Sequence, residues 1–365
     1  VIIRKKMISR SFFRKKSCLS LVNLRRFSVE KSVKIELKDE YGLYVNGGYI
    51  PSESKQTFNV ENPFNGEIVS KIARSNNMDI KNALNVGYTT YESGIWSNMD
   101  VRERSQVLFN AAKILRTNIN EIACIESLQI GRPIKEMRTQ LERCPEWFEY
   151  YGSLIRCYEN RLPPFKGNFI NYVKNVPLGL VVQITPYNHP IFMAIKKIAP
   201  ALATGNSIVI KPSELAPISV LELGNILKES GLPDGVLNVV TGYGTEIGNE
   251  LCGSKLVRKV DFTGGINTGK IIGEICGKNI CYFTAELGGK GPMIVFNDCI
   301  DNIDDVINGC VFGTFIASGQ TCIAGTRLLI QKDIYDIFIE KLVDKVKTIK
   351  LGNPMDINTQ LGPVI

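Results

Sequence analysis

Apolar residues recur at helical spacing through "VRERSQVLFNAAKILRTNINEIACIESLQIG", where Val107, Leu108, Ala111, Ile114 and Leu115 share one face. The spacing predicts a helix that Gly131 and Pro133 terminate. "DIKNALNVGYTTYES" before it and "TQLERCPEWFEYYGSLI" after it read as two further helices. Over 156–177 the pattern changes. "RCYENRLPPFKGNFINYVKNVP" combines a Pro pair, a Gly turn and the alternation "NFINYVKNV", which predicts a β-hairpin set apart from the helices.

From Leu178 onward strands and helices alternate. "LGLVVQIT", "SIVIK", "GVLNVV", "KVDFTG" and "CYFTAEL" are predicted strands. "PIFMAIKKIAPALATG", "SVLELGNILKESG", "TEIGNELCG" and "NTGKIIGEICG" are predicted helices. Ser219 and Glu222 have capping-box spacing at the start of the second helix, and Gly231 ends it. Such short links imply a parallel sheet covered on both faces, a doubly wound Rossmann-like α/β domain. Ligands in such sheets bind beyond the carboxyl ends of the strands.

The chain has 365 residues, 44% hydrophobic and 22% charged, which suits a globular protein of about two domains. No apolar run is long enough to span a bilayer. Nine Lys/Arg and no acid occur in residues 1–27. Subtracting them from the net charge of +8 leaves residues 28–365 at −1, without the overall basic excess that drives nucleic-acid binding. The Arg- and Ser-rich stretch from Met7 has the composition of a mitochondrial transit peptide; the bland alternative is a disordered basic tail. Residues 1–35 are therefore set aside as a leader, and the expected location is the mitochondrial matrix, otherwise the cytoplasm. Ten scattered cysteines without a C-x-x-C pair suggest reduced thiols. The single histidine, His189, rules out a His-cluster metal site, and no metal is expected. A catalytic base is then expected to be a carboxylate or a lysine.

Four of the predicted strands end on segments rich in turn residues, each of which could be a plain turn. The first is "TPYNHP", with Thr185, Pro186, Tyr187 and Asn188. The second is "KPSE", with Lys211, Ser213 and Glu214. The third is "FTGGINTG", with Thr263, Gly264 and Gly265. The fourth is "ELGGK", with Glu286 and Leu287. Glycines before a helix let a pyrophosphate approach backbone N–H groups, although the spacing departs from G-x-G-x-x-G. "TGYGTEIG", with Gly244, is a second, lower-ranked cofactor-side loop. Lys211 and Glu214 suit ribose hydroxyls, and a carboxylate there favours NAD over NADP. Glu286 is an isolated carboxylate in an apolar strand, which costs free energy unless it is solvated, paired or useful. Cys322 in "ASGQTCIAGTR" is surrounded by small residues, although a lone cysteine is more often a small buried hydrophobe.

Together, "VPLGLVVQITPYNHP", "KPSE", "FTGG", "FTAELGGK" and "GQTC", in that order, resemble the aldehyde dehydrogenase superfamily over residues 40–365. The resemblance implies an NAD-binding domain over 36–155 and 178–288, an oligomerisation hairpin over 156–177, and a catalytic domain from 289 to 365. It implies that Cys322 is the nucleophile, that Asn188 and the Cys322 N–H form the oxyanion hole, and that Glu286 activates water. Thr185, Pro186, Tyr187, Lys211, Ser213, Glu214, Gly244, Thr263, Gly264, Gly265 and Leu287 would face NAD. The implied substrate is a small-molecule aldehyde, and the implied assembly a homodimer or homotetramer.

Two positions depart from the family pattern: Gly265 stands where Ser is usual, and Tyr187 where Trp is common. The family's sequence also continues beyond the motif at the end of this chain, so the catalytic domain is expected to be incomplete and residues 1–365 alone poorly folded or inactive. Three rival readings stay open at this stage. One is a CoA-acylating relative, which generally lacks the base. Another is a Cys–Glu–Lys amidohydrolase. The third is a non-catalytic product of a damaged gene.

Overall fold

The computed structural model describes residues 24–29 and 33–365. Most of the expected leader, residues 1–23, lies outside the described residues. Its last part forms β1 (Leu24–Val29), which pairs antiparallel with β2 (Val33–Lys38). Then come β3 (Glu40–Tyr41), β4 (Leu43–Val45), β5 (Gly48–Ile50), β6 (Thr57–Glu61) and β7 (Ile68–Ala73). Asn46 and Gly47, at φ 52° and 74°, form the two-residue turn between β4 and β5. Both positions need positive φ, which Asn-Gly supplies at low cost.

Helix α1 (Asn77–Glu92) starts in a capping box: Asn76 accepts from the Asp79 N–H, and the Asp79 carboxylate accepts from the Asn76 N–H. Helix α2 (Val101–Ile130) is capped by Asp100 and ends at Gly131, whose φ of 74° is left-handed. The single helix expected over "TQLERCPEWFEYYGSLI" is two: α3 (Ile134–Leu141) and α4 (Cys144–Leu154). Pro145 explains the break, because it lacks an N–H and its ring would clash with a preceding helical turn.

Next come β8 (Leu180–Ile184), α5 (Pro190–Ala203), β9 (Ser207–Lys211), α6 (Ile218–Glu229), β10 (Leu237–Val239) and α7 (Gly244–Gly253). They lead to β11 (Val257–Gly264), α8 (Ile266–Asn279) and β12 (Tyr282–Leu287). The seven-stranded sheet has the order β12-β11-β8-β9-β10-β4-β5, parallel from β12 to β10 and antiparallel beyond. Alternation along β9 sends Ile208 and Ile210 into a core with α2, α5 and α6. It sends Val209 to the other face, with α1, α7 and α8. The doubly wound α/β expectation therefore holds. Burying side chains such as Leu108 and Ile198 completely contributes about 1.5–3 kcal/mol each.

The expected Ser219–Glu222 capping box is absent. Helix α6 already begins at Ile218, whose N–H donates to the Gln129 Oε1 of α2 at 3.0 Å. A side chain from another helix thus caps α6, and Ser219 is turned into the core instead. The expected hairpin at 156–177 is a chain reversal held by one antiparallel bridge, Arg161 with Val173. Phe169, Ile170 and Tyr172 on its far limb are exposed, so no second layer supports a longer ladder.

A smaller unit follows: β13 (Gly291–Val295), α9 (Ile303–Phe315), β14 (Gly325–Ile330) and α10 (Tyr335–Lys347). β13 and β14 pair in parallel over a core containing Ile307 and Phe338. The end of the chain packs back on the α2–α3 junction, where the Ile134 N–H donates to the Pro354 carbonyl at 2.8 Å. Among the described residues no helix is long and apolar enough to cross a membrane.

Candidate functional site

The chain runs β8, β9, β10 in one direction across the sheet, then returns past β8 to β11 and β12. The carboxyl ends of β8 and β11 therefore flank the point where strand order reverses, the usual ligand crevice of such a sheet. Thr185 follows β8 and Thr263 lies near the end of β11. Both are buried, and neither hydroxyl has a hydrogen-bond partner. Buried hydroxyls are nearly always satisfied, so this pair suits an incoming polar ligand.

Gly265 is the exposed N-cap of α8, with no side-chain cap, and a Cβ added there would meet nothing within 4 Å. Gly244, the first residue of α7, is equally open and uncapped. Gly264 differs, because a Cβ there would strike the Phe262 ring at 2.6 Å. Free N–H groups at the start of α8, beside a surface without side chains, fit a phosphate. Beyond β9, the Lys211 ammonium donates to the Pro212 carbonyl at 3.1 Å and pairs with Glu214 at 3.4 Å. Burial lowers the Lys211 pKa, and Glu214 offsets part of that. The Ser213 hydroxyl accepts from the Leu215 N–H at 3.3 Å. Pro186 and Tyr187 are half-buried in the turn before Asn188.

The three residues expected to carry chemistry converge through their backbones. β12 lies parallel to β11 with Glu286 opposite Thr263 and Leu287 opposite Gly264. The chain then turns into β13, and β13 pairs with β14, which follows Cys322. As a result a Cβ on Gly289 would lie 3.8 Å from the Cys322 carbonyl oxygen. From the other side, the Asn188 amide Nδ2 donates to the Gln320 carbonyl. One Nδ2 hydrogen remains for another acceptor, and Asn188 Oδ1 is buried without a partner. Cys322 and Glu286 are exposed; β12 is the sheet's edge strand, and Glu286 is solvated there rather than buried.

Several residues around the site escaped sequence reasoning. Lys197 of α5 is buried and forms an ion pair with Asp261 of β11. Burial lowers its pKa, while Asp261 and, more weakly, Glu286 raise it. Arg132, fully buried just past α2, donates to the Asn188 carbonyl at 3.2 Å, to His189 Nδ1 at 2.7 Å and to Gln140 at 2.9 Å. It also pairs with Glu136. Burial, together with the Arg132 and Lys196 charges, pushes His189 down to about 3. The one clue in the sequence was "GRP", a cation held between a helix-stopping glycine and a proline. Among the described residues no group of His, Cys, Asp and Glu could hold a metal ion.

The aldehyde dehydrogenase family model matches residues 49–365. A crystal structure of a putative aldehyde dehydrogenase from Burkholderia cenocepacia is similar at 37% identity and a TM-score of 0.86, over 89% of this chain and 66% of that one. PnpE in complex with nicotinamide adenine dinucleotide is similar at 38% identity and a TM-score of 0.86, again over 89% and 66%. Betaine aldehyde dehydrogenase from Staphylococcus aureus in complex with NAD+ is similar at 34% identity and a TM-score of 0.86, over 89% and 64%. The chain thus spans about two thirds of the length of these relatives.

Proposed function

Since the chain belongs to the aldehyde dehydrogenase family, we propose that it carries the site for NAD-dependent oxidation of an aldehyde to a carboxylic acid. The observation that carries this reading is the convergence of Asn188, Cys322 and the Glu286 strand, described above, at the end of a dinucleotide-type sheet. NAD-complexed relatives support the choice of cofactor. The partnerless hydroxyls of Thr185 and Thr263 and the open N-terminus of α8 fit its phosphates. Lys211, Ser213 and Glu214 would hold the adenosine ribose.

The Cys322 thiolate attacks the aldehyde carbonyl, and the C=O π electrons move to oxygen. The free Nδ2 hydrogen of Asn188 and the Cys322 N–H stabilise that oxyanion. Bound nicotinamide supplies the hydride acceptor that leaves the carbon as a thioester. Glu286 then takes a proton from water, whose oxygen attacks the thioester, and the C–S bond breaks to release the acid and restore the thiolate. His189 takes no proton in this sequence, because its ring is held neutral with Nδ1 already occupied.

A water-activating carboxylate favours hydrolysis over transfer to coenzyme A. We place the enzyme in the mitochondrial matrix, on the composition of its leader, and as a homodimer or homotetramer, on the exposed apolar reversal at 156–177. The test uses the protein expressed from its complete reading frame. Cys322→Ala should lose all aldehyde-dependent NADH formation and keep NAD affinity within about twofold. Turnover by that variant would remove Cys322 from the chemistry; acyl-CoA as the product would move the reaction to the acylating class.

A further inference from the structure

Two loops must stay in register for the proposed chemistry: the one carrying Asn188 and the one carrying Cys322. Their backbones come from different units of the fold, and one buried cation reaches both. The guanidinium of Arg132 donates from Nη1 to the Asn188 carbonyl and to His189 Nδ1, at 3.2 and 2.7 Å. From Nη2 it donates to the Glu136 carboxylate. The same Glu136 oxygen accepts from the Ala317 N–H at 3.0 Å.

That second contact falls on a strained turn. Ala317 and Ser318 sit consecutively at φ 56° and 54°, in the left-handed region, and both are buried. Each costs about 1–2 kcal/mol relative to ordinary backbone, so the turn needs outside support. A third link runs through the imidazole. A guanidinium can only donate, so His189 Nδ1 must accept and the proton must sit on Nε2. Nε2 lies 3.2 Å from the hydroxyl oxygen of Thr321, the residue before Cys322.

We propose that Arg132 is a positioning residue that holds the Asn188 and Cys322 loops in register, through Glu136 to the strained turn and through His189, fixed as the Nε2–H tautomer, to Thr321. Arg132 touches no reacting atom. Its planar fork serves two acceptor sets at once, which a lysine's single nitrogen cannot reproduce. The inference rests on the aldehyde-oxidation reading only for its kinetic consequence.

His189 is the single histidine of these 365 residues, and a His189→Gln variant assigns its ring signals in the whole protein. In the whole protein labelled with ¹⁵N-histidine, ring couplings should report the Nε2–H tautomer, unchanged from pH 8 to pH 5. The charges acting on the ring are Arg132 from the α2–α3 side and Lys196 from α5, while Glu136 is held by the same guanidinium and Glu126 interacts with Arg132. In Arg132→Lys the ring should titrate or mix tautomers, and the NADH burst should slow at least tenfold with NAD affinity within about twofold. Thr321→Val should keep the tautomer and slow the burst at least threefold, and Thr321→Ser should restore it. These two variants decide the matter even where Arg132→Lys does not fold. A wild-type Nδ1–H tautomer or an ordinary titration near pH 6.5 would overturn the proposal, as would an unchanged burst in both Arg132→Lys and Thr321→Val. A wild-type protein with no aldehyde-dependent NADH formation but the expected tautomer would refute the aldehyde reading and leave the Arg132 linkage standing.

Discussion

Replacing Glu126 by Gln should make the protein's stability depend differently on pH. Glu126 is fully buried on α2, and its Oε1 accepts from Ser219, from Gln129 at 3.2 Å and from the Ile191 N–H at 3.4 Å. Oε2 is buried with no partner. Burial raises the carboxyl from 4.5 to about 7, and the hydrogen bonds and Arg132 offset only part of that. The folded state therefore holds this proton more tightly than the unfolded state. Stability from this group is present below pH 4.5 and is lost as pH rises toward 7. At about 1.4 kcal/mol per pH unit, the loss across that interval is about 3 kcal/mol.

His189 opposes it: its folded pKa of about 3 lies below the ordinary 6.5, so its contribution grows as pH rises between those values. The contributions of these two groups should nearly cancel between pH 4.5 and 6.5. Gln keeps the Oε1 acceptor and cannot ionise. Urea unfolding of both proteins at pH 5, 6, 7 and 8 cancels every other titration in the difference. Glu126→Gln should gain about 2–3 kcal/mol relative to wild type between pH 5 and pH 8. A difference constant within about 0.5 kcal/mol would refute the argument that Glu126 is a raised, desolvated acid.

Glu214→Gln should narrow the preference for NAD over NADP at least fivefold, read as the ratio of the two dissociation constants, because it removes a negative charge from the ribose side. Thr263→Val should weaken NAD binding about three- to tenfold with little loss of stability, since its hydroxyl has no partner inside the protein. Gly131→Ala should destabilise by more than about 1 kcal/mol on backbone conformation alone. Its Cβ would also meet Pro363 at 2.7 Å and Pro63 at 2.9 Å, so its thermal midpoint should fall further than that of an exposed-helix Gly→Ala change.

Local signals in the sequence were strong where one segment determines its own structure. The period of α2, the Gly131 stop and the strand–helix alternation from β8 to β12 could be read directly. The strand-end segments were legible because parallel topology brings carboxyl ends to one edge. What was not legible depends on partners distant in sequence. Ser219 had the spacing of a cap, but Gln129, 89 residues before Ile218, already capped the helix at the Ile218 N–H. Pro145 is visible in the sequence, but the continuous apolar pattern on both sides of it hides the break between α3 and α4. The apolar neighbours of Glu286 left open whether it is buried or solvated, and its place on the edge strand leaves it exposed. Arg132 and Lys197 carried no motif; their importance lies in Asn188 and Glu136 for one, and in Asp261 for the other.

The measurement that tests the central claim most directly is the mass of the Cys322 peptide from Glu286→Gln protein mixed briefly with NAD and an aldehyde. Without the base, deacylation should slow at least tenfold, so the peptide should carry the acyl group in near-stoichiometric amount, with one NADH formed per site. An unmodified Cys322 peptide alongside undiminished turnover, or an acyl group on any other residue, would contradict the account.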